Sequence, residues 1–229
     1  MLSTYITPIV AITCYLAYPK HLRINPLLLH KVAVIHNVGL VLFSAWTFAS
    51  LSRILYSDGV IFKSNHYFQN PQFDTIIYWF YISKYYEFAD TFLLYLNGKN
   101  PIFLQKYHHV GAVISWHLMY YFKVEMVWMA TLLNSGVHSI MYSYYLGCLL
   151  KINQVRHIKK YITTMQLCQF FILYSNFYFY YPPIETWFNY GIITFFATYG
   201  VGIISLFGKF YYDTYMVKEK KERIQFTYI

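Results

Sequence analysis

The chain has 229 residues, of which 58% are hydrophobic, 23% aromatic and only 12% charged, with a mean hydropathy of +0.35 and a formal net charge of +9. Those values exclude an ordinary soluble domain and indicate a polytopic membrane protein. Crossing ~30 Å of hydrocarbon takes about 20 mostly apolar residues per helix, so a chain of this length holds six or seven spans with short loops and no separate soluble domain.

Apolar runs occur at 3–19, 32–56, 73–96, 107–122, 125–150, 161–181 and 187–211. They predict an all-α bundle of seven transmembrane helices forming one integral-membrane domain, 1–211, with a basic cytosolic tail at 212–229. The first run lacks a charged n-region and a small-residue cleavage site, so its helix is expected to stay in the mature chain. Asn97-Gly98-Lys99-Asn100-Pro101 and Pro182-Pro183 are turn signals between helices. Cys14, Cys148 and Cys168 have no metal-type spacing and are expected to pack as small apolar residues.

Charge asymmetry orients the bundle. With the N-terminus away from the cytosol, the cytosolic segments carry Lys20, Arg23, Lys31, Lys99, Lys106, Lys151, Arg156, Lys159, Lys160, Lys209, Lys218, Lys220, Lys221 and Arg223, fourteen of the 18 basic residues. The opposite side keeps Arg53, Lys63 and Lys123, and Lys84 falls inside a helix. This collar fixes topology, binds anionic lipid and is also suited to a polyanionic substrate.

Polar side chains inside the apolar runs are the functional signal. Lys84, Glu87, Asp90 and Thr91 fall within roughly 120° on one face of the third helix, and ionised groups at that depth must turn towards partners or water inside the bundle. Gln105-Lys106-Tyr107-His108-His109 places two imidazoles where a polar loop meets the fourth run. Imidazole serves as nucleophile, general base or metal ligand near neutral pH. The fifth run supplies Asn134, His138, Met141 and Tyr142 on one stripe, and the sixth Thr163, Gln166 and Gln169. Together they suggest a polar pocket open towards the basic collar above an apolar interior. Such a pocket suits an amphiphile with an anionic head and an acyl chain.

These four clusters resemble the ELO family of very-long-chain fatty acid elongases, the membrane 3-ketoacyl-CoA synthases. The family's KxxExxDT pattern appears as KYYEFADT from Lys84 to Thr91, NxxxHxxMY as NSGVHSIMY from Asn134 to Tyr142, and TxxQxxQ as TTMQLCQ from Thr163 to Gln169. The HxxHH box departs at its first position, where Gln105 stands.

The resemblance implies condensation of a long-chain acyl-CoA with malonyl-CoA to 3-ketoacyl-CoA, carbon dioxide and CoA, with no cofactor and no bound metal. It implies catalytic roles for His108, His109, His138 and Asn134. In this scheme His108 attacks the thioester, His109 or His138 manages protons, and Asn134 with His138 stabilises an enolate. The spacing alone says only that one histidine of the adjacent pair is the nucleophile. Lys84, Glu87, Asp90, Thr91, Gln105, Tyr142, Gln166 and Gln169 are the expected supporting residues, and Lys99, Lys106, Lys151, Arg156, Lys159 and Lys160 the expected contacts to CoA phosphates. The expected setting is the endoplasmic reticulum membrane, multi-pass, with the C-terminus cytosolic. The lipid bilayer and the other enzymes of the elongation cycle are the candidate partners. A homo-oligomer is compatible with this reading, and no nucleic acid is expected.

Two other classes compete. A di-iron desaturase or hydroxylase needs about eight histidine-type ligands, and the central helices offer only His108, His109, His117 and His138. A transporter or receptor would also explain buried Lys, Glu and Asp. Condensation of labelled malonyl-CoA and bound iron are the discriminating observations.

Overall fold

The structure is a computed structural model that describes residues 2–17, 24–57, 67–124, 126–179 and 187–217. Every regular element among them is helical. The helices are α1 (Leu2–Leu16), α2 (Pro26–Ser57), α3 (Pro71–Tyr86), α4 (Phe88–Leu96), α5 (Phe103–Tyr121), α6 (Val127–Leu149), α7 (Lys159–Phe179) and α8 (Trp187–Tyr211). Because α3 and α4 follow one another through a single residue, the eight helices make seven rods, as the seven apolar runs predict.

Local chemistry moves several boundaries from their predicted positions. α2 starts at Pro26, before the apolar run, because Pro26 occupies the first helical position and the Asn25 side chain accepts the Leu27 N–H at 2.9 Å. α3 is capped in the same way: Pro71 follows Asn70, whose side chain accepts from the N–H groups of Gln72 and Phe73 at 2.9 and 3.4 Å. The break between α3 and α4 falls on Glu87, whose backbone stays in the right-handed helical region (φ −62°, ψ −16°). The predicted turn after α4 forms around Gly98, at φ +71°. Its N–H reaches Tyr95 O and that of Lys99 reaches Leu94 O, each at 2.9 Å. α5 begins at Phe103, so Gln105 to His109 lie within its first two turns rather than in the loop before it.

The bundle is apolar outside, and its interior sets buried polar and charged side chains within an apolar core. Ile9, Ile35, Leu42, Phe103, Phe171 and Val201 are exposed, whereas Lys84, Glu87, Thr91, His109, Asn134 and His138 are buried. Water would reverse that distribution, and a lipid surround explains it. Two helical stretches, Pro26–Ser57 and Tyr190–Met216, are long and apolar enough to pass as spans on composition alone. α5, α6 and α7, with 19, 23 and 21 residues, rise about 28 Å or more at ~1.5 Å per residue. Their inward polar side chains are what dilute their hydropathy. The predicted packing of the cysteines is corrected: Cys14, Cys148 and Cys168 are all exposed and lie on the outward surface.

α6 packs along α2 and also touches α7, while α5 lies between α3 and α8. α5 and α8 approach through reciprocal glycines. A Cβ on Gly111 would overlap the Tyr199 ring, and one on Gly202 would overlap the Tyr107 hydroxyl. Of the predicted tail, residues 212–217 prolong α8 as a π-turn and one further helical residue, and 218–229 lie outside the described residues. Lys20, Arg23, Lys63 and Pro182-Pro183 lie outside them as well.

Candidate active site

The break at Glu87 positions a buried charge network. Lys84 Nζ donates to Glu87 Oε1 at 2.7 Å and to Asn134 Oδ1 at 2.8 Å, and it lies 4.0 Å from the Phe80 ring centroid. Lys84 is 1% exposed and Glu87 2%. At that depth each ion loses several kcal/mol of solvation, so the pair persists only because each partner satisfies the other. His138 Nδ1 lies 3.5 Å from Glu87 Oε1. The second carboxylate oxygen, Oε2, is buried with no hydrogen-bond partner among the described residues.

His108 joins this network from α5. Its ligating nitrogen, one from His138 and one Glu87 oxygen all lie within 4.8 Å of one another. Tyr199, from α8, has its hydroxyl 3.2 Å from His108 Nδ1 and 3.0 Å from His108 O. His109 faces elsewhere, its ring edge-on to Tyr15 and Phe88, with the two imidazole centroids of the pair 5.6 Å apart. The ~100° turn between successive helical residues accounts for this divergence.

His108, Asn134 and Gln169 line a narrow cavity of about 30 Å³ whose walls are mainly Trp116, Phe170, Leu173, Phe196 and Ile203. Gly200 also lines it, and a Cβ there would meet nothing within 4 Å.

The other expected residues divide. Asp90 and Thr91 do not share one environment. Asp90 accepts from Tyr142 OH at 2.7 Å and pairs with His36 Nε2 at 2.7 Å, towards α2 and α6. Thr91 instead meets Tyr15 OH at 2.8 Å and Gln105 Nε2 at 3.1 Å, towards α1 and α5. Gln105 is thereby turned away from the Glu87–His108–His138 cluster. Gln166 Nε2 contacts Met141 Sδ at 3.2 Å, and Gln169 alone of the glutamines lines the cavity. Thr163 pairs with Tyr215 OH at 3.2 Å. Lys99, Lys151 and Lys159 are exposed, Lys106 is half-buried beside the Tyr95 ring, and Lys160 is half-buried too. All five fall in the α4–α5 and α6–α7 connections or the first turns that follow them. The Arg156 side chain lies outside the described residues.

Sequence reasoning missed His36 and Tyr199. Neither belongs to one of the four polar clusters: His36 stands with Asn37 inside the apolar run 32–56, and Tyr199 is one of 27 tyrosines. Only the tertiary contact distinguishes them.

Glu87, His108 and His138 are also the residues that could hold a single metal ion. Lys84 argues against that use, because its ammonium already occupies Glu87 Oε1. Two like unit charges 4 Å apart repel by about 4 kcal/mol at an effective dielectric of 20. His117, needed for a richer ligand set, is engaged elsewhere through Nδ1 with Tyr81 OH at 2.9 Å.

An apolar-surfaced bundle with an ion-paired, histidine-bearing centre at the mouth of an apolar cavity defines an integral-membrane enzyme. Comparison with known proteins agrees with that class. The chain belongs to the ELO family, described as the GNS1/SUR4 family, whose model matches residues 1–223. It is 30% identical to the Xenopus tropicalis protein named very long chain fatty acid elongase 5, over 99% of this chain and 81% of that protein. The human protein of the same name is 30% identical, over 97% and 79% respectively. Fatty acid elongase sre1 of Dictyostelium discoideum is 29% identical, over 86% and 76%. No solved structure matches the chain.

Proposed function

We propose that this protein is a very-long-chain 3-oxoacyl-CoA synthase that condenses a long-chain acyl-CoA with malonyl-CoA, the first step of fatty acid elongation, through an acyl-imidazole on His108. Family membership supports the reaction class. The observation that carries the residue assignment is the meeting of Glu87, His108 and His138, of which His108 also lines the apolar cavity together with Asn134.

The chemistry follows from those positions. The acyl chain runs along the apolar lining of the cavity, which widens to admit it, with its thioester at His108. A ring nitrogen of His108 attacks the carbonyl, the C–S bond breaks, and CoA leaves as a thiolate that takes up the proton released from the ring. Malonyl-CoA then binds. Its carboxylate leaves as carbon dioxide, and the electron pair of the broken C–C bond remains as an enolate. That carbanion attacks the acyl-imidazole carbonyl, the C–N bond breaks as the departing ring nitrogen takes up a proton from water, and 3-ketoacyl-CoA and free His108 result.

Asn134 and His138 are the donors placed to stabilise the enolate oxygen, and Glu87 holds His138 while Lys84 holds Glu87 and Asn134. Lys99, Lys106, Lys151, Arg156, Lys159 and Lys160 supply positive charge for the CoA phosphates at the α4–α5 and α6–α7 connections. The same charge supports placing those connections, and the C-terminus, in the cytosol of an endoplasmic reticulum membrane protein.

Purified protein supplied with acyl-CoAs of graded length and labelled malonyl-CoA is expected to give labelled 3-ketoacyl-CoA and one carbon dioxide per product. Absence of condensation at every chain length would refute the proposal. Bound iron together with oxygen-dependent desaturation would establish the competing class.

A further inference from the structure

Tyr199 makes two contacts with one residue, and together they determine where its proton goes. The hydroxyl lies 3.0 Å from the main-chain oxygen of His108 and 3.2 Å from its Nδ1. A carbonyl oxygen carries no proton, so the phenol must donate to it. The phenol has only one proton to give. Its oxygen is then an acceptor towards the ring, and the contact is a hydrogen bond only if Nδ1 carries the hydrogen. An imidazole with hydrogen on Nδ1 has its lone pair on Nε2.

We infer that Tyr199 is a positioning residue that holds His108 in the Nδ1–H tautomer and presents Nε2 as the nucleophilic nitrogen. The inference rests on the reading of His108 as the acyl acceptor. As the new N–C bond forms at Nε2, positive charge develops on the ring, and the Tyr199 oxygen is already in place at Nδ1–H to receive it. The proton lost afterwards goes to the departing CoA thiolate, so no further reactant is needed.

The surroundings keep the phenol in this place. Tyr199 is 8% exposed, and its ring packs beside Tyr107 with centroids 5.5 Å apart. Gly111, one turn beyond His108 on the same helix, leaves the space that the Tyr199 ring fills, since a Cβ there would overlap it. His109 has no equivalent: its Nδ1 is buried without a hydrogen-bond partner among the described residues. Tyr199 therefore separates the two adjacent histidines by function, although it lies 91 residues from His108 in the chain.

The first half-reaction tests this. Acyl-CoA is mixed with full-length enzyme without malonyl-CoA, quenched at intervals, and free CoA is measured by chromatography for wild type, Tyr199→Phe and His108→Ala. His108→Ala is expected to release none. Tyr199→Phe keeps the ring in its slot and is expected to release CoA with a rate constant ~10- to 100-fold lower, at an unchanged half-saturating acyl-CoA concentration. That is less than the roughly 10⁴-fold lost when a charged carboxylate holding a triad histidine is replaced, because a phenol is a neutral partner. A merely structural role would weaken binding and rate together, and that result overturns the proposal.

Wild-type CoA release by Tyr199→Phe, with none from His108→Ala, also overturns it and leaves the nucleophile reading intact. CoA release by His108→Ala overturns the nucleophile reading, and the role of Tyr199 with it. If Tyr199→Phe is not recovered folded, Gly111→Ala displaces the same hydroxyl from the opposite helix and is read on the same scale. Normal release by that variant counts against the proposal.

Discussion

Replacing Lys84 with methionine removes an ammonium but keeps an unbranched apolar stem of similar reach. The variant loses the 2.7 Å contact to Glu87, the 2.8 Å contact to Asn134 and the cation–π contact to Phe80. What remains is a carboxylate 2% exposed, with one oxygen already unpartnered and the other facing only His138 at 3.5 Å. Breaking a buried pair in this way costs about 3–5 kcal/mol, because the surviving charge stays desolvated. Removing both charges costs less than the sum of the single changes. The double variant Lys84→Met/Glu87→Gln is expected to be more stable than additivity predicts by roughly 2–3 kcal/mol. Denaturant unfolding in detergent micelles, followed by tryptophan fluorescence, gives the four free energies of the cycle. The coupling is also expected to be insensitive to salt, since a buried pair is screened little. Additivity within about 0.5 kcal/mol, or a coupling that vanishes in salt, would refute the buried network.

Three other outcomes follow from separate parts of the molecule. Gly200→Phe places a ring in the cavity and is expected to shorten the longest product while short acyl-CoAs still turn over; an unchanged product distribution by gas chromatography would contradict the acyl-chain assignment. His36→Ala leaves Asp90 with its hydrogen bond from Tyr142 and is expected to lower unfolding stability by about 1.5–3 kcal/mol, the range for hydrogen bonds to charged groups. Lys151→Ala with Lys159→Ala is expected to raise the KM for both CoA substrates severalfold with kcat nearly unchanged, an effect that shrinks as salt is added. A fall in kcat alone would place those lysines outside CoA binding.

The helices were legible because membrane spans need long apolar stretches, and each of the seven runs overlaps one rod. Their ends were less so. Pro26 and Asn70 set helix starts through capping, which hydropathy does not register, and Glu87 interrupts a helix with no Pro or Gly to mark the place. The centre was partly legible: Lys84, Glu87, Asn134 and His138 stand out as polar residues in apolar runs, and they meet. Which histidine of the pair joins them depends on the rotation of α5, and helical spacing alone gives no absolute rotation. Asp90 and Thr91 show the same limit, since one residue step turns them towards different helices. His36 and Tyr199 come from α2 and α8, helices that hold none of the four polar clusters, so only packing brings them to the site.

Intact-mass and peptide analysis of the enzyme incubated with acyl-CoA alone tests the acyl-imidazole account most directly. One equivalent of CoA released and one acyl group mapped to His108, discharged to 3-ketoacyl-CoA when malonyl-CoA is added, is the predicted result. Release of CoA only after malonyl-CoA is present, or an acyl group carried by His109 or by a cysteine, would contradict it.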